Sequence, residues 1–393
     1  MGQVARGESG LGLRARALSH HVRPELYDPG RMEVDKNEPP HQAHDRLFKL
    51  VCSIPEAALA VVRHALGPDG SLVDGVEPGS FQPAPPNEID EFLGEDWRDL
   101  VFSCRLRGQE TLIFFLVEHQ RRVDPNMPLR AFEYVHAFWA GRRLRAPGQP
   151  LPLALAIVVH QGDGPWTGPL SIADMLGAPP ELVARLGSLV PGLRLALLDL
   201  GARTPRAVST LEAPPVVRVA FTLMRVVAIP GLEPARLLEV VRMELAAPLR
   251  EVMALPEGAA LLRRFVRYTL SKVERLHAGQ LQDTISEVVG PEAGEVVMST
   301  AQELIDQGVE KGLEKGLEKG LREGALKLLR ALLKEKLKLN ALPADVEQRL
   351  AGASDRQLET WGKRVLGAKK LADVFSPDPP KPSKRTGSGR KKR

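Results

Sequence analysis

The stretch "TLIFFLVEHQRR", residues 111 to 122, begins as a strongly apolar run and then changes abruptly to charged and polar side chains. A buried strand normally ends in a turn that contains Gly, Asn or Pro. Here Glu118, His119 and Gln120 follow the apolar run directly, and two arginines come next. A carboxylate and an amide at the end of a buried strand favour a functional site, so this stretch decides the fold and the function that we expect.

The composition is that of an ordinary globular protein. The chain has 393 residues, of which 43% are hydrophobic and 26% are charged, and its net charge of +5 permits an anionic partner such as nucleic acid without requiring one. Cys52 and Cys104 form neither a zinc motif nor a disulfide framework, which indicates a reducing compartment. We find no secretory leader and no run of about 20 apolar residues, so we expect a cytoplasmic protein without a membrane partner.

Hydrophobic periodicity around the opening stretch predicts an α/β domain with a mixed sheet flanked by helices. Two apolar runs on either side of Gly108 and Gln109 predict a β-hairpin. In chain order, the predicted elements are helices at 43–53 and 55–66, a long loop or irregular strand at 67–95, hairpin strands at 99–107 and 110–118, a helix at 127–144, and strands at 151–162 and 193–200.

Beyond about residue 205 the strand pattern stops and amphipathic helical patterns follow. The composition of the two ends predicts disorder there. The predicted organisation is a disordered lead-in at 1–40, the α/β domain at 41–205, a helical region at 206–300, a Glu-Lys-Gly-Leu repeat and helix at 301–340, a short helical segment at 341–376 and a basic disordered tail at 377–393.

The hairpin suggests a pair of carboxylates. A turn centred between Gly108 and Gln109 gives paired residues whose numbers add to 217, which sets Asp99 opposite Glu118 with Cβ atoms about 4.5–5.5 Å apart. Gln120 shares their face of the sheet. Two carboxylates so close repel each other unless they share a proton or bind a divalent cation, and Mg²⁺ favours such oxygen ligands. The alternative is that both are solvated residues at the open end of a hairpin.

Five stretches of the sequence, in order, resemble successive blocks of one protein family. The family is the recombination-promoting nucleases, also known as YhgA-like transposases, a branch of the PD-(D/E)XK nuclease superfamily. The resemblance implies a restriction-endonuclease-like fold and a metal-dependent DNA endonuclease that promotes recombination. The stretches are "HDRLFKLVCSIPEAA" (44–58), "WRDLVFSCRLRGQETLIFFLVEHQ" (97–120), "MPLRAFEYVHAFW" (127–139), "LPLALAIVVHQGDGPW" (151–166) and "VVMSTAQELIDQGVEKGLEKGLEKG" (296–320).

The resemblance implies a catalytic centre of three residues. Asp99 and Glu118 would be ligands of Mg²⁺, or of another divalent cation such as Mn²⁺ or Ca²⁺, and Gln120 would complete the centre. Gln120 stands where the wider superfamily has Lys, and a neutral amide replaces a positive charge beside the phosphate. We therefore expect a reduced rate, and the alternative is a non-catalytic DNA-binding or assembly protein that keeps the nuclease fold.

Five further residues are candidate contacts with a DNA substrate, each with a purely structural alternative. Lys49 follows Asp45 by four residues, so the two lie on one face of the predicted helix. Either this face lies toward the cleft of the proposed metal site, or Asp45 stabilises the start of the helix and pairs with Lys49. Arg121 and Arg122 contact the DNA backbone or are solvated. His160 ends a predicted strand, where it either approaches the substrate or is satisfied within the protein.

The sequence "GVEKGLEKGLEKGLREG", residues 308 to 324, repeats every four residues. Each step turns the apolar stripe about 40° round a helix, so the stripe cannot follow a heptad seam. Each glycine costs roughly 1 kcal/mol against Ala in a helix. Such a helix is marginal alone. Either a partner stabilises it, which makes 300–340 a candidate homo-oligomer contact, or the segment stays partly unfolded. Slippage during replication of a short DNA repeat explains its origin equally well.

Overall fold

A computed structural model describes residues 40–84, 101–118 and 123–376. Within these ranges the chain forms a five-stranded mixed sheet with helices on both faces, followed by a long helical continuation. The mixed sheet flanked by helices that the sequence predicts is confirmed. The strands are β1 (Gln82–Pro83), β2 (Val101–Leu106), β3 (Gln109–Glu118), β4 (Leu153–His160) and β5 (Ala196–Asp199).

The strands lie in the sheet in the order in which they occur in the chain. The pairs β1–β2 and β2–β3 are antiparallel, whereas β3–β4 and β4–β5 are parallel. A parallel pair needs a crossover that carries the chain back along the sheet, and a helix at Met127–Arg145 provides it between β3 and β4. The carboxyl ends of three consecutive strands, β3 to β5, therefore meet at one edge of the sheet.

The hairpin turn differs from the one predicted. Leu106 pairs with Gln109, so the turn consists of Arg107 and Gly108, with φ angles of 50° and 80°. Positive φ at both central residues is the requirement of a two-residue type I′ turn. Paired residues, such as Val101 and Phe114, have numbers that add to 215 and not to the predicted 217. The predicted register is therefore wrong by two residues, a shift that leaves every side chain on its predicted face.

The helices around the sheet follow the predicted pattern closely. The predicted helix at 55–66 is confirmed, and the predicted loop or irregular strand after it begins as a 3₁₀ helix at Gly67–Gly75 and continues into β1. These helices are α1 (Pro40–Cys52), α2 (Pro55–Leu66), α3 (Met127–Arg145) and the short α4 (Pro180–Leu186), with further 3₁₀ turns at Ala173–Met175 and Gly187–Leu189.

Both faces of the sheet are covered, as a parallel sheet requires. Ile157 and Val159 of β4 face the core that contains α1 and α2, whereas Ala156 and Val158 pack with Met127 of α3. Every residue of β4 from Ala156 to His160 is buried, which explains why its sequence is a continuous apolar run.

The helices after β5 share the core of the sheet. Phe221 stacks on Phe48 of α1 with ring centroids 6.2 Å apart, and one cluster of buried side chains extends from Leu47 to Val297. Residues on both sides of position 205 therefore pack into the same core. These helices are α5 (Pro205–Ser209), α6 (Pro215–Val227), α7 (Pro234–Val240) with a π-helical turn at Val241–Leu245, α8 (Ala246–Met253), α9 (Gly258–Lys272) and α10 (Ala278–Val288).

A single helix of 46 residues, α11 (Pro291–Lys336), contains the whole four-residue repeat. Its first part packs in the main core through Val297, and its last part contributes Leu329 and Leu333 to a separate C-terminal cluster. That cluster is completed by α12 (Ala344–Ala351), α13 (Asp355–Val365) and α14 (Leu371–Phe375).

Across the described ranges, no single helix has both the length and the apolar composition to cross a membrane, although the bent pair Ala43–Cys52 and Pro55–Gly75 passes that test jointly.

The turn geometry predicts the effect of a substitution at Gly108. Gly108→Ala should lower the free energy of unfolding by about 1 kcal/mol, because an L side chain is strained at a φ of 80°. The midpoint of urea unfolding measures the loss. Gly279→Ala in α10 is the control, since a Cβ there meets no atom within 4 Å and its φ is not positive, so its midpoint should not fall. Equal effects of the two substitutions would contradict the role of the turn.

Candidate active site

Three polar residues end the three parallel strands and lie in one row across the sheet. Glu118 of β3 is in register with His160 of β4, and His160 is in register with Asp199 of β5. The carboxyl ends of parallel strands are where α/β sheets bind their ligands. The sequence predicted Glu118 and His160 as site residues but did not single out Asp199.

His160 and Asp199 form a buried pair. The imidazole Nδ1 lies 2.9 Å from Asp199 Oδ1, and the two side chains are 2% and 16% exposed. The backbone N–H groups of Trp166 and Ala202 also donate to this carboxylate, at 2.8 and 3.2 Å. Burial acts to raise the pKa of the Asp199 carboxyl, but the hydrogen bonds from His160 and the two amides outweigh it and hold the pKa below its ordinary value. Asp199 is therefore ionised at neutral pH and fixes the ring.

The other nitrogen of the His160 ring, Nε2, is buried and has no hydrogen-bond partner in the described part of the chain. Gly162 covers it so closely that a Cβ on Gly162 would lie 2.4 Å from Nε2, and the Trp166 ring packs edge-on at 5.3 Å between centroids. A neutral imidazole that donates its Nδ1 proton to Asp199 keeps a lone pair on Nε2. Nδ1 of His160 is thus held by Asp199, whereas Nε2 has no hydrogen-bond partner within the described residues.

A second polar cluster lies at the same end of β4, on the other face of the sheet. Gln161 Nε2 donates to the carbonyl of Met224 at 2.8 Å and lies 3.0 Å from His44 Nδ1, which the Tyr268 hydroxyl approaches to 2.8 Å. Burial raises the pKa of the Tyr268 hydroxyl far above its ordinary value, and its hydrogen bond with Gln161 offsets this only in part. This cluster links α1, β4, α6 and α9, and no sequence pattern predicts it.

The remaining predicted site residues fall into two groups. Asp45 and Lys49 are half-buried on α1, but α1 begins at Pro40, so the interpretation of Asp45 as a residue at the helix start is wrong. Four other predicted site residues, Asp99, Gln120, Arg121 and Arg122, lie outside the described residues. Glu118 is placed by its backbone position at the end of β3.

No group of three or more His, Cys, Asp or Glu side chains within the described ranges is arranged to hold a metal ion. Asp199 ends β5 at the same edge of the sheet as Glu118. Its oxygens, however, already accept hydrogen bonds from His160, Trp166 and Ala202. The carboxylates predicted as ligands, Asp99 and Glu118, have the hard oxygen donors that Mg²⁺ requires. The donor atoms of these two side chains are therefore of the kind that a divalent cation requires.

An open cleft of about 620 Å³ lies beside the segment that leads into α3. Its wall includes Asn126 from the start of α3, Thr167 and Gly168 from the segment after Trp166, and Asp174 and Arg194. Gly168 lies against Val123, because a Cβ there would be 2.4 Å from Val123 Cγ1. The cleft therefore lies close to the segment that follows Glu118, and its volume is in the range of ligand sites.

The His160–Asp199 pair predicts a pH dependence of stability. The Asp199 carboxyl has a lowered pKa in the folded state, so its stabilising contribution is present above about pH 4 and is lost as the pH falls through the folded value. At pH 6, Asp199→Asn should cost about 1–3 kcal/mol, because it weakens the hydrogen bonds at a buried group. The difference from the unsubstituted protein should shrink toward pH 3 in urea unfolding. The exposed Asp163→Asn variant gives the baseline for removing one carboxylate, and a difference that does not change with pH would contradict the assignment.

Comparison with known proteins finds a matching family and similar proteins. The family described as "Putative transposase, YhgA-like" matches residues 42–243, about half of the chain, and this segment contains the whole sheet. Recombination-promoting nuclease RpnC of Escherichia coli K12 is 32% identical over 114 residues, which are 28% of this chain and 34% of that protein. Recombination-promoting nuclease RpnD of Escherichia coli O157:H7 is 27% identical over 127 residues, or 32% and 48% of the two chains.

The chain thus spans about a third to a half of the length of these curated relatives. No solved structure matches the chain. The family match extends past residue 205 into α6 and α7, which pack in the same core as the sheet. By this match over half of its length, the chain belongs to the YhgA-like transposase family.

Proposed function

We propose that this protein is a divalent-metal-dependent DNA endonuclease that promotes recombination, with Asp99, Glu118 and Gln120 as its catalytic centre. The observation that carries the proposal is the placement of Glu118 at the carboxyl end of β3, beside His160 and inside the segment matched by the family. The names of the two relatives, both recombination-promoting nucleases, support the reaction class.

Asp99 and Glu118 would hold the cation, which is Mg²⁺ or a similar divalent ion. When bound, such a cation stabilises the negative charge that gathers on a phosphoryl group and lowers the pKa of a bound water. Asp199 is not a ligand in this proposal, because three hydrogen bonds occupy its carboxylate. Its task is to hold the imidazole of His160 beside the position of Glu118.

The other candidate residues contact the substrate and not the metal. Arg121 and Arg122 follow the catalytic strand and would bind DNA phosphates, and Lys49 on α1 would do the same. Gln120 would donate its amide N–H to a phosphate oxygen in the place where other nucleases of the superfamily use Lys.

A second candidate function follows from Gln120. A neutral amide stabilises the developing charge less well than an ammonium, so a protein that binds DNA without cutting it is the alternative. Such a protein would shift DNA in a gel and leave it intact with every divalent metal. Cleavage and binding must therefore be measured on the same preparation.

Nicking of a supercoiled plasmid tests the proposed activity. The protein should nick the plasmid with Mg²⁺ or Mn²⁺ and not with EDTA, and Asp99→Ala and Glu118→Gln should each lower the rate at least about 100-fold, because each removes a metal ligand. Urea unfolding must show that both variants remain folded.

The matched control is Glu110→Gln, at the other end of the same strand. Glu110 pairs at the surface with Arg142 at 2.9 Å, an ion pair that contributes little to stability, so this variant should cut at the normal rate. DNA that shifts in a gel but stays intact with every metal would reject the endonuclease and favour the alternative. A full rate in Asp99→Ala would reject the assigned centre.

Gln120→Lys tests the role of the amide. Restoring a positive charge beside the phosphate should raise the rate of plasmid nicking by about 10- to 100-fold, as expected for a transition-state charge contact. Gln120→Met has no hydrogen-bond donor and should lower the rate. If Lys and Met variants cut equally well, Gln120 does not contact the reacting phosphate.

A further inference from the structure

The helix α9 carries an unbalanced positive charge. Between Gly258 and Lys272 it contains three arginines and one lysine and no acidic residue. Arg263 and Arg267 are four residues apart and Arg264 and Arg267 are three apart, which are the spacings at which side chains of a helix are neighbours. Like charges at these spacings destabilise a helix, so the folding of α9 alone does not account for them.

One carboxylate of α11 lies against these arginines. Glu303 accepts a hydrogen bond from Arg267 Nη2 at 3.0 Å and lies 3.6 Å from Arg263 Nη1. On its other side, Arg267 Nη1 lies 3.4 Å from Oε1 of Gln307. Because three guanidinium groups face one carboxylate, the three arginines and Glu303 together keep a net charge of +2.

The three guanidinium groups are close enough to repel one another. Burial lowers the pKa of Arg267, and the charges of Arg264 and Arg263 act in the same direction, whereas Glu303 opposes them only in part. The side chain of Arg267 is 18% exposed and that of Arg263 is 46% exposed, so the cluster is partly enclosed by protein and partly open to solvent. An anion that approaches from the open side would relieve the repulsion.

The cluster lies beside the network that joins α9 to the end of β4. Arg264 precedes Tyr268 by four residues, so both lie on one side of α9. The Tyr268 hydroxyl is 2.8 Å from His44 Nδ1, which is 3.0 Å from the amide nitrogen of Gln161, the residue after His160. The arginines therefore lie near the start of α1, in the part of the molecule that contains the carboxyl end of β4.

The family match does not include this cluster. It ends at residue 243, whereas α9 begins at Gly258. The substrate contacts predicted from the sequence, among them Lys49, Arg121 and Arg122, also precede α9 in the chain.

We propose that Arg263, Arg264 and Arg267 bind the phosphate backbone of a DNA duplex and so extend the substrate surface beyond the sheet. This proposal rests on the proposed function, in which DNA is the substrate. The planar guanidinium group donates paired hydrogen bonds to phosphate oxygens. Four residues advance about 6 Å along a helix and two nucleotides of one strand advance about 7 Å, so the spacing of Arg263 and Arg267 suits phosphates of one strand.

Fluorescence anisotropy of a short labelled DNA duplex with the full-length protein tests the proposal, with EDTA present so that the proposed cleavage cannot occur. The double variant Arg263→Gln/Arg264→Gln should bind about tenfold more weakly, because it loses two phosphate contacts. The slope of log K against log salt concentration should fall in magnitude by about 1.8, or about 0.9 for each contact.

The matched control is Arg236→Gln/Arg349→Gln, which removes the same charge from exposed positions on α7 and α12. Its affinity and salt slope should equal those of the unsubstituted protein. Equal weakening by the two double variants, or no binding of DNA by the unsubstituted protein, would overturn the proposal.

Glu303→Gln separates phosphate binding from a purely structural role of the arginines. If the arginines bind DNA, this variant removes a carboxylate that competes with phosphate, and the affinity should rise at least about threefold. If they only hold α11 against α9, the affinity stays constant, and that result would overturn the proposal. Glu295→Gln is the control for removing one exposed carboxylate from the same helix.

The plasmid assay distinguishes failure of this proposal from failure of the proposed function. Weaker binding by Arg263→Gln/Arg264→Gln, in a protein that cuts with no metal, would support the DNA-binding surface and reject the endonuclease. Normal binding by that variant, in a protein that does cut, would reject the surface and retain the endonuclease. If poly-glutamate of equal charge displaces the labelled duplex as well as unlabelled duplex does, the surface fits an acidic protein and the proposal is overturned.

Discussion

The parallel pairing of β3, β4 and β5 is the constraint on which the candidate site depends. Each of these strands ends in a polar residue after an apolar run, and only the register of the sheet brings Glu118, His160 and Asp199 into one row. The hydrogen bonds of β4 on both sides fix that register, and its burial on both faces opposes any slip, because a shift of one residue would move buried side chains to the opposite face. A site built on such strands is held more rigidly than one built on loops.

The same strand also joins the sheet to the helices that follow it. Gln161, one residue beyond the end of β4, reaches Met224 of α6 and the pair of His44 and Tyr268. Polar groups buried this deeply are stable only when they are hydrogen-bonded, so the network requires that α1, α6 and α9 keep their positions around the sheet. Residues 160 and 161 thus point to opposite faces, one toward the candidate site and the other into the shared core.

Much of the fold could be predicted from the sequence, because apolar periodicity and proline positions mark strands and helix starts directly. The helix at Pro55–Leu66 and the strands that end at His160 and Asp199 are such cases. The prediction places the hairpin turn incorrectly because Arg107 adopts a positive φ, which is unusual for arginine. The usual sequence signals of this turn type are Asn-Gly and Asp-Gly. The partnership of His160 with Asp199 joins residues 39 positions apart and follows only from the sheet register. The direct opposition of Asp99 and Glu118 was deduced from the hairpin register that is wrong by two residues, so it no longer follows from the hairpin, and the shared binding of a cation by these two carboxylates remains a prediction.

The four-residue repeat lies within one continuous helix, so the number of repeats determines the distance and the rotation between the two ends of that helix. In an α-helix, four residues advance about 6 Å along the axis and turn about 40° beyond a full revolution. Insertion or loss of one repeat would therefore move the C-terminal cluster along the helix axis. It would also rotate that cluster about the axis, relative to the domain that contains the sheet. Because each added repeat places glycine and leucine at the same spacing, the insertion or loss leaves the chemical character of the exposed helix surface unchanged. Repeat number thus sets the reach and the angle of the C-terminal cluster independently of the chemistry of the site.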